Sequence, residues 1–387
     1  MHTVNNLMDL YMTRLMLMIS FLVALANSPT AAQERWVHPQ CTPLECTKNG
    51  PFVQLQDATL IAFNQNVLVH STDGGKTWAE QSQPVDSGIQ FDRVGHVAQL
   101  LRTKSGTLIV LYLDFDHYNF SWNAERVAPN PDCRLELWSI RSRDGGKTWE
   151  DQQQLLDGYN ADFMGLIQTS QGDVVATVEH LDPKEARWMA CSFHSGDEGH
   201  TWKRSNWIDL GGRGHHDGAI EPSVAELNDG RLLMLIRTSL DQFWKAYSSD
   251  GGRSWREIGP SGLDASSAPG WLRRLNSGRL AFVWNRLKAE GQTTVPRSPA
   301  GNSYAAVDSP SHREELSIAF SEDDGQSWTT PVVIAREPGG QLSYPYLHER
   351  EPGVLWVFTR YTWYPDRKPA PSLAIELHEE DFVRGRP

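Results

Sequence analysis

The nine residues RGHHDGAIE, at 213–221, hold two adjacent histidines, an aspartate and a glutamate. Such side chains can bind hydroxyls, pass protons or ligate a metal. On a strand, His215 and His216 would point to opposite faces, which argues against both holding one ion. Further on, Arg237 closes the apolar run LLMLI at 232–236. An unpaired charge buried there would be costly. Either the strand ends in solvent, or an anion meets a guanidinium whose fork suits a carboxylate. Two other apolar segments end similarly, with Glu179 and His180 in VEHLD (178–182) and with Asn285 and Arg286 after LAFVW (280–284). Asp114 and Asp116 stand in LYLDFDHY (111–118), and Asp132 precedes RLELWSIRS (134–142). No Cys-x-x-Cys or His-rich spacing supports structural zinc, and neither a metal nor a cofactor is expected.

Residues so far apart need a scaffold that returns them to one place, and the chain carries a repeat that predicts one. The octet Ser-x-Asp-x-Gly-x-Thr/Ser-Trp occurs five times: STDGGKTW (71–78), SRDGGKTW (142–149), SGDEGHTW (195–202), SSDGGRSW (248–255) and SEDDGQSW (321–328). Its centre is a turn, because Asp bonds its own backbone and Gly takes a positive φ. The Trp adds a large apolar body with one N–H, suited to pinning that turn onto a sheet. Between octets lies a second repeat of two apolar, β-rich stretches around a turn: 52–63, 98–112, 164–178, 222–236, 270–284 and 345–359. Each reads as a hairpin. Six hairpins, five followed by an octet, fit an all-β, six-bladed propeller of four strands per blade. The wider gaps between octets place insertions at 113–133 and 287–312; the second is rich in Pro, Ser and Gly and reads as a mobile surface loop.

Composition limits the partners. The net charge is −12 with no basic stripe, so nucleic acid is not expected. Arg14, the apolar run 15–26 and the small residues after it read as a signal peptide cut near Ala32. The run is short for a membrane span. The expectation is therefore a signal peptide over 1–32, a propeller over 33–387, and a secreted protein without stable membrane insertion. Export permits disulfides, and Cys41 and Cys46 could close a small loop.

The octet resembles the Asp-box of the sialidase (BNR-repeat) superfamily. The resemblance implies a propeller with the boxes in hairpin turns on the outer rim, where their role is structural. In sialidases three arginines grip the sugar carboxylate, a Tyr paired with a Glu is the nucleophile, and an Asp on a flexible loop is the acid/base. The segment SYPYL (343–347) is similar to the one bearing that Tyr, which implies Tyr344. A neutral nucleophile avoids repulsion with a carboxylate at the anomeric carbon. The run AIEPSVAELNDGRLLMLIRTS (219–239) is similar to the family's Glu and Arg segment, which implies Glu221 as the partner of Tyr344 and Arg237 as one binding arginine. Arg313, in HREELSIAF (312–320), matches a second arginine. At the first arginine the chain departs from the pattern: His96 occupies that position, with Arg93 three residues earlier. Asp132 matches the acid/base best. His215, His216 and Asn285 fall where substrate contacts would be.

The reading is an exo-acting, retaining glycoside hydrolase on a sialic acid or another acidic sugar terminus, with a glycan or glycoconjugate as partner. Two alternatives come from other classes: a non-catalytic glycan-binding propeller, and a polysaccharide lyase that uses the histidines next to a uronate.

Overall fold

The six expected hairpins are the first two strands of six antiparallel blades, and in five of them all four blade strands follow chain order. The computed structural model describes residues 35–93, 95–300, 305–363 and 370–383. The expected signal segment, 1–32, lies outside them. Blade 1 begins with Val53–Gln54, blade 2 with Ala98–Arg102 and blade 3 with Gly165–Gln168. Blade 4 begins with Ile220–Glu226, blade 5 with Trp271–Arg274 and blade 6 with Gln341–Glu351. These six inner strands run in the same sense, so their first residues gather at one mouth of the central channel and their last residues at the other.

The strands read as continuous apolar runs for a physical reason. Each blade packs its faces against two neighbours, so strands such as Leu108–Leu113 and Leu232–Arg237 are buried throughout. The apolar clusters follow suit, each spanning adjacent blades: Phe63 with Val110, Leu111 with Val178, Val175 with Met234, Leu235 with Phe282. The last cluster joins blades 5, 6 and 1.

Each octet is the turn between the third and fourth strands of blades 1 to 5. In the first, Ser71 Oγ donates to Asp73 Oδ1 at 2.8 Å and accepts from Gly75 N at 2.9 Å. Thr77 donates its N–H and its hydroxyl to the Asp73 carboxylate. The same bonds recur around Asp144, Asp197, Asp250 and Asp323. Hydroxyl and amide donors hold the Asp73, Asp144 and Asp323 carboxyls well below the ordinary range. The tryptophans reach across blades: Trp149 Nε1 donates to Ser82 Oγ, and Trp255 Nε1 to Ser192 Oγ.

Blade 6 has no octet because the chain never makes that turn. Its third strand, Ala374–His378, leads into a short helix, Glu379–Val383. Its fourth strand is Cys41–Pro43 from the other end of the chain, pairing Cys41 with Leu377. One end of the polypeptide thus closes the ring. Trp36–Val37 adds a fifth, outermost strand to blade 5.

Two expectations are corrected here. Cys41 and Cys46 are free thiols. Cys41 is buried within the closing strand, while Cys46 donates to Lys48 O beside the first octet. The second insertion is not wholly loose: Arg297–Ser298 pairs with Ser309–Pro310, and Ala305 bridges to Gly214.

Candidate active site

At the mouth where the inner strands begin, Tyr344 Oη donates to Glu221 Oε1 at 2.7 Å. Arg237 Nη1 donates to the other oxygen, Oε2, at 2.6 Å. Tyr344 comes from blade 6, Glu221 and Arg237 from blade 4. The backbone at both ends of the Tyr–Glu bond is unusual: Glu221 has φ 42° and Tyr344 has φ 56°. Non-glycine residues rarely adopt this region, and they persist in it where surrounding structure forces a side chain into place. At Glu221 the cause is a bulge, since the register between the first two strands of blade 4 shifts between Ile220 and Ser223.

Carboxyls crowd this point. Glu179 Oε2 accepts from Glu221 N at 2.6 Å, and Glu179 is buried. Burial and the Glu221 charge push the Glu179 carboxyl well above its ordinary value. Asp162, just ahead of the inner strand of blade 3, accepts from His96 N. Burial and Glu221 push it up to about 7. The Tyr344 phenol is also raised well above its ordinary value, by burial and then by Glu221 and Asp162. The site therefore holds carboxyls of different character: Glu221 in ionic contact with Arg237, and Asp162 able to carry a proton near neutrality.

Arg237 is almost fully buried, and its Nε donates to Ser267 Oγ at 3.2 Å. Two of its nitrogens thus serve the protein, and Nη2 makes no hydrogen bond among the described residues. Arg313 donates through Nη2 to Ser267 O at 2.7 Å. It pairs with neither Glu314 nor Glu315; the latter meets Arg336 instead. Burial and then the Arg237 charge lower the Arg313 guanidinium, as expected for two cations sharing one pocket.

His96 is fully buried, its ring 5.1 Å from that of Trp271 and stacked 6.2 Å from that of Tyr344. Burial and the Arg360 charge hold it well below its ordinary value, so it is neutral where the superfamily pattern has an arginine. Arg360 is itself buried, and its Nη2 donates to Arg93 O.

His215 and His216 lie in a loop ahead of blade 4, not on a strand, so the expected alternation does not apply. Their rings are 5.1 Å apart. Burial and then Arg237 push His215 down to about 4 and His216 to about 2; Arg313 also acts on His216. Both insertions converge on this loop: Arg213 Nη2 donates to Arg126 O, and Ala306 N to Arg213 O. Phe120 and Trp122 of the first insertion stand against the His215 ring.

Two expected residues lie elsewhere in the arrangement. Asn285 is fully buried and donates to Glu315 O and Leu342 O, which makes it a backbone clamp between blades 5 and 6 rather than a substrate contact. Asp132 sits in a turn of the first insertion, with its oxygens accepting from Asn119 Nδ2 and Ser121 Oγ. No hydrogen bond joins it to the Tyr344 group among the described residues. Asp162 and Arg360 drew no attention in the sequence. The available signal was position: Asp162 precedes its inner strand by a few residues, as His96 precedes the inner strand of blade 2.

Six blades with the same acidic turn on five outer corners, and a Tyr–Glu–Arg chain across the channel mouth, define a sialidase-like β-propeller. The family model for the BNR repeat-like domain matches residues 71–357, and the chain belongs to that family, within the sialidase superfamily. It is 26% identical over 326 residues to a sialidase of Micromonospora viridifaciens, covering 76% of this chain and 46% of the other. The chain thus spans about half the length of that curated relative. Among solved structures, the intramolecular trans-sialidase of Ruminococcus gnavus superposes with a TM-score of 0.53 at 14% identity, covering 88% of this chain and 97% of that one. An α-L-arabinofuranosidase of Fusarium graminearum superposes with a TM-score of 0.51 at 14% identity, covering 86% and 92%. At these identities the structures share the fold.

Proposed function

We propose that this protein is a retaining glycoside hydrolase that removes an acidic sugar from the end of a glycan, with Tyr344 as nucleophile. What supports this reading above all is the bond from Tyr344 Oη to Glu221 Oε1, set by strained backbone at both residues. A phenol with a raised pKa needs a base in contact with it, and Glu221 fills that role. The phenolic oxygen attacks the anomeric carbon as its proton passes to Glu221 Oε1. The glycosidic bond breaks, and the leaving oxygen takes a proton from an acid. Asp162, up to about 7, has the protonation state for that step. Water then attacks the anomeric carbon from the vacated side and gives a proton to the acid, while Glu221 returns one to Tyr344. Two displacements give net retention.

Arg237 Nη2 and the free nitrogens of Arg313 bind the carboxylate of the substrate. With neutral His96 in place of a third arginine, the grip is weaker than a complete triad would give. This favours an acidic sugar in general over sialic acid in particular. A signal peptide over 1–32 and export to the periplasm or medium complete the proposal.

The test is a screen of the purified protein against chromogenic sialosides and uronides, with the first-formed anomer followed by proton NMR. Release of the retained anomer supports the reading, and inversion would overturn it. An ultraviolet-absorbing unsaturated uronate would point to elimination instead. Binding without turnover of any substrate would leave a glycan-binding propeller.

A further inference from the structure

The inner strands end at the second mouth of the channel, and the chemistry there is different. A cavity of about 420 Å³ is lined by Arg102, Arg273, His348 and Arg350, each from the closing half of an inner strand. A contiguous lobe of about 580 Å³ shares Trp271 and Arg273 with it. The Trp271 ring lies 4.7 Å from Tyr346 and 5.1 Å from His96, so these rings separate this cavity from the Tyr344 pocket.

Four buried nitrogens lining this cavity have no hydrogen-bond partner: His348 Nδ1 and Nε2, Arg273 Nε and Arg350 Nη1. One His348 nitrogen of the neutral ring is an acceptor, so three of the four are donors, and buried donors are nearly always satisfied, which calls for an acceptor beside them. Arg102, Arg273 and Arg350 form no ion pair among the described residues, whereas neighbouring Arg274 meets Asp324. In a chain of net charge −12, three arginines without carboxylate partners around one cavity are not explained by a shortage of acids. Two acids also line the cavity: Glu349, which accepts from Asn276 N and Gly353 N, and Glu351, at the exposed end of its strand. His348 is buried and held neutral by burial, Arg273 and Arg350.

We infer that this second mouth is a binding site for a small oxyanion-bearing ligand, a phosphate or a sugar carboxylate, held by Arg273 and Arg350 with His348 donating from below. Guanidinium forks suit both anions, and a concave site with a few convergent donors is a usual ligand geometry. This site is independent of the proposed reaction at Tyr344.

The experiment titrates the full chain with inorganic phosphate and, separately, with glucuronate, following histidine ring signals by NMR. The His348 signal is identified by its loss in His348→Gln. It should shift and saturate, and the better ligand of the two probes assigns the anion as phosphoryl or carboxylate. Arg273→Gln should weaken binding at least about 10-fold. Arg313→Gln, at the opposite mouth, should leave it unchanged. If Arg273→Gln does not fold, Arg350→Gln carries the same expectation. No shift of His348 with either probe would overturn the site, as would affinity unchanged in a folded arginine variant.

Discussion

The outer turns and the inner mouth of this propeller are built on opposite principles. Each octet satisfies itself within eight residues: Ser71, Asp73, Gly75 and Thr77 bond one another, and four further copies repeat the pattern with nearly the same distances. The mouth satisfies nothing locally. Tyr344 meets Glu221 across 123 positions of sequence, and Glu221 meets Glu179 across 42. The two residues whose side chains touch there both have left-handed backbone. The contrast teaches that the repeated part of the sequence encodes stability and register, whereas reactivity resides in residues that occur once.

Four perturbations test that division. Tyr344→Phe should lower kcat by at least about 10³-fold, as loss of a nucleophile does, with an unchanged circular dichroism spectrum. Full activity in the variant would sink the covalent mechanism and, with it, the contrast. Trp255→Ala acts on the other side. Its ring is 2% exposed, so truncation should cost about 3–5 kcal/mol of stability. Below the unfolding transition its kcat should match the wild type; a large kcat loss in folded protein would mean that the rim reaches the chemistry.

Asp162→Asn should lower kcat by about 10²-fold for substrates with poor leaving groups. The wild-type rate should fall as pH rises through about 7, where Asp162 loses its proton, and the variant should lack that limb. The stability effect runs the same way. The folded carboxyl is raised above its unfolded value, so the native state binds more protons between these values and stability falls as pH rises towards 7. Asp162→Asn should flatten that slope in denaturant titrations. If neither slope changes, Asp162 is not the acid. The smallest effect belongs to a single octet. Asp250→Ala should cost about 1 kcal/mol, because its bonds to Ser248 and Ser254 are partly open to water. Thermal melts would detect it, and catalysis should not.

The octets and hairpins made the six blades legible in sequence, because turn chemistry and apolar runs are local signals. The resemblance also singled out Tyr344, Glu221, Arg237 and Arg313, which the fold brings to one mouth. Asp132 was placed by its match to the family's acid/base and Asn285 by its position at a strand's end, and neither says where a side chain is spent. Asn285 is consumed by two carbonyls, and Asp132 by its own insertion. Asp162 escaped notice because nothing around NADFMG sets it apart until burial and Glu221 raise its pKa. Arg360 was similarly hidden inside a strand that reads as core.

The sequence by itself determined that the chain is β throughout, where its turns fall and how many blades follow. These depend on residues within a few positions of one another. Only the tertiary structure decided that Cys41–Pro43 closes the last blade and that His96 is neutral. It alone decided that both insertions converge on the His215 loop, and which side chains gather at each end of the channel. Those outcomes depend on which distant groups share a buried volume, and electrostatics at short range is fixed by that proximity rather than by order along the chain.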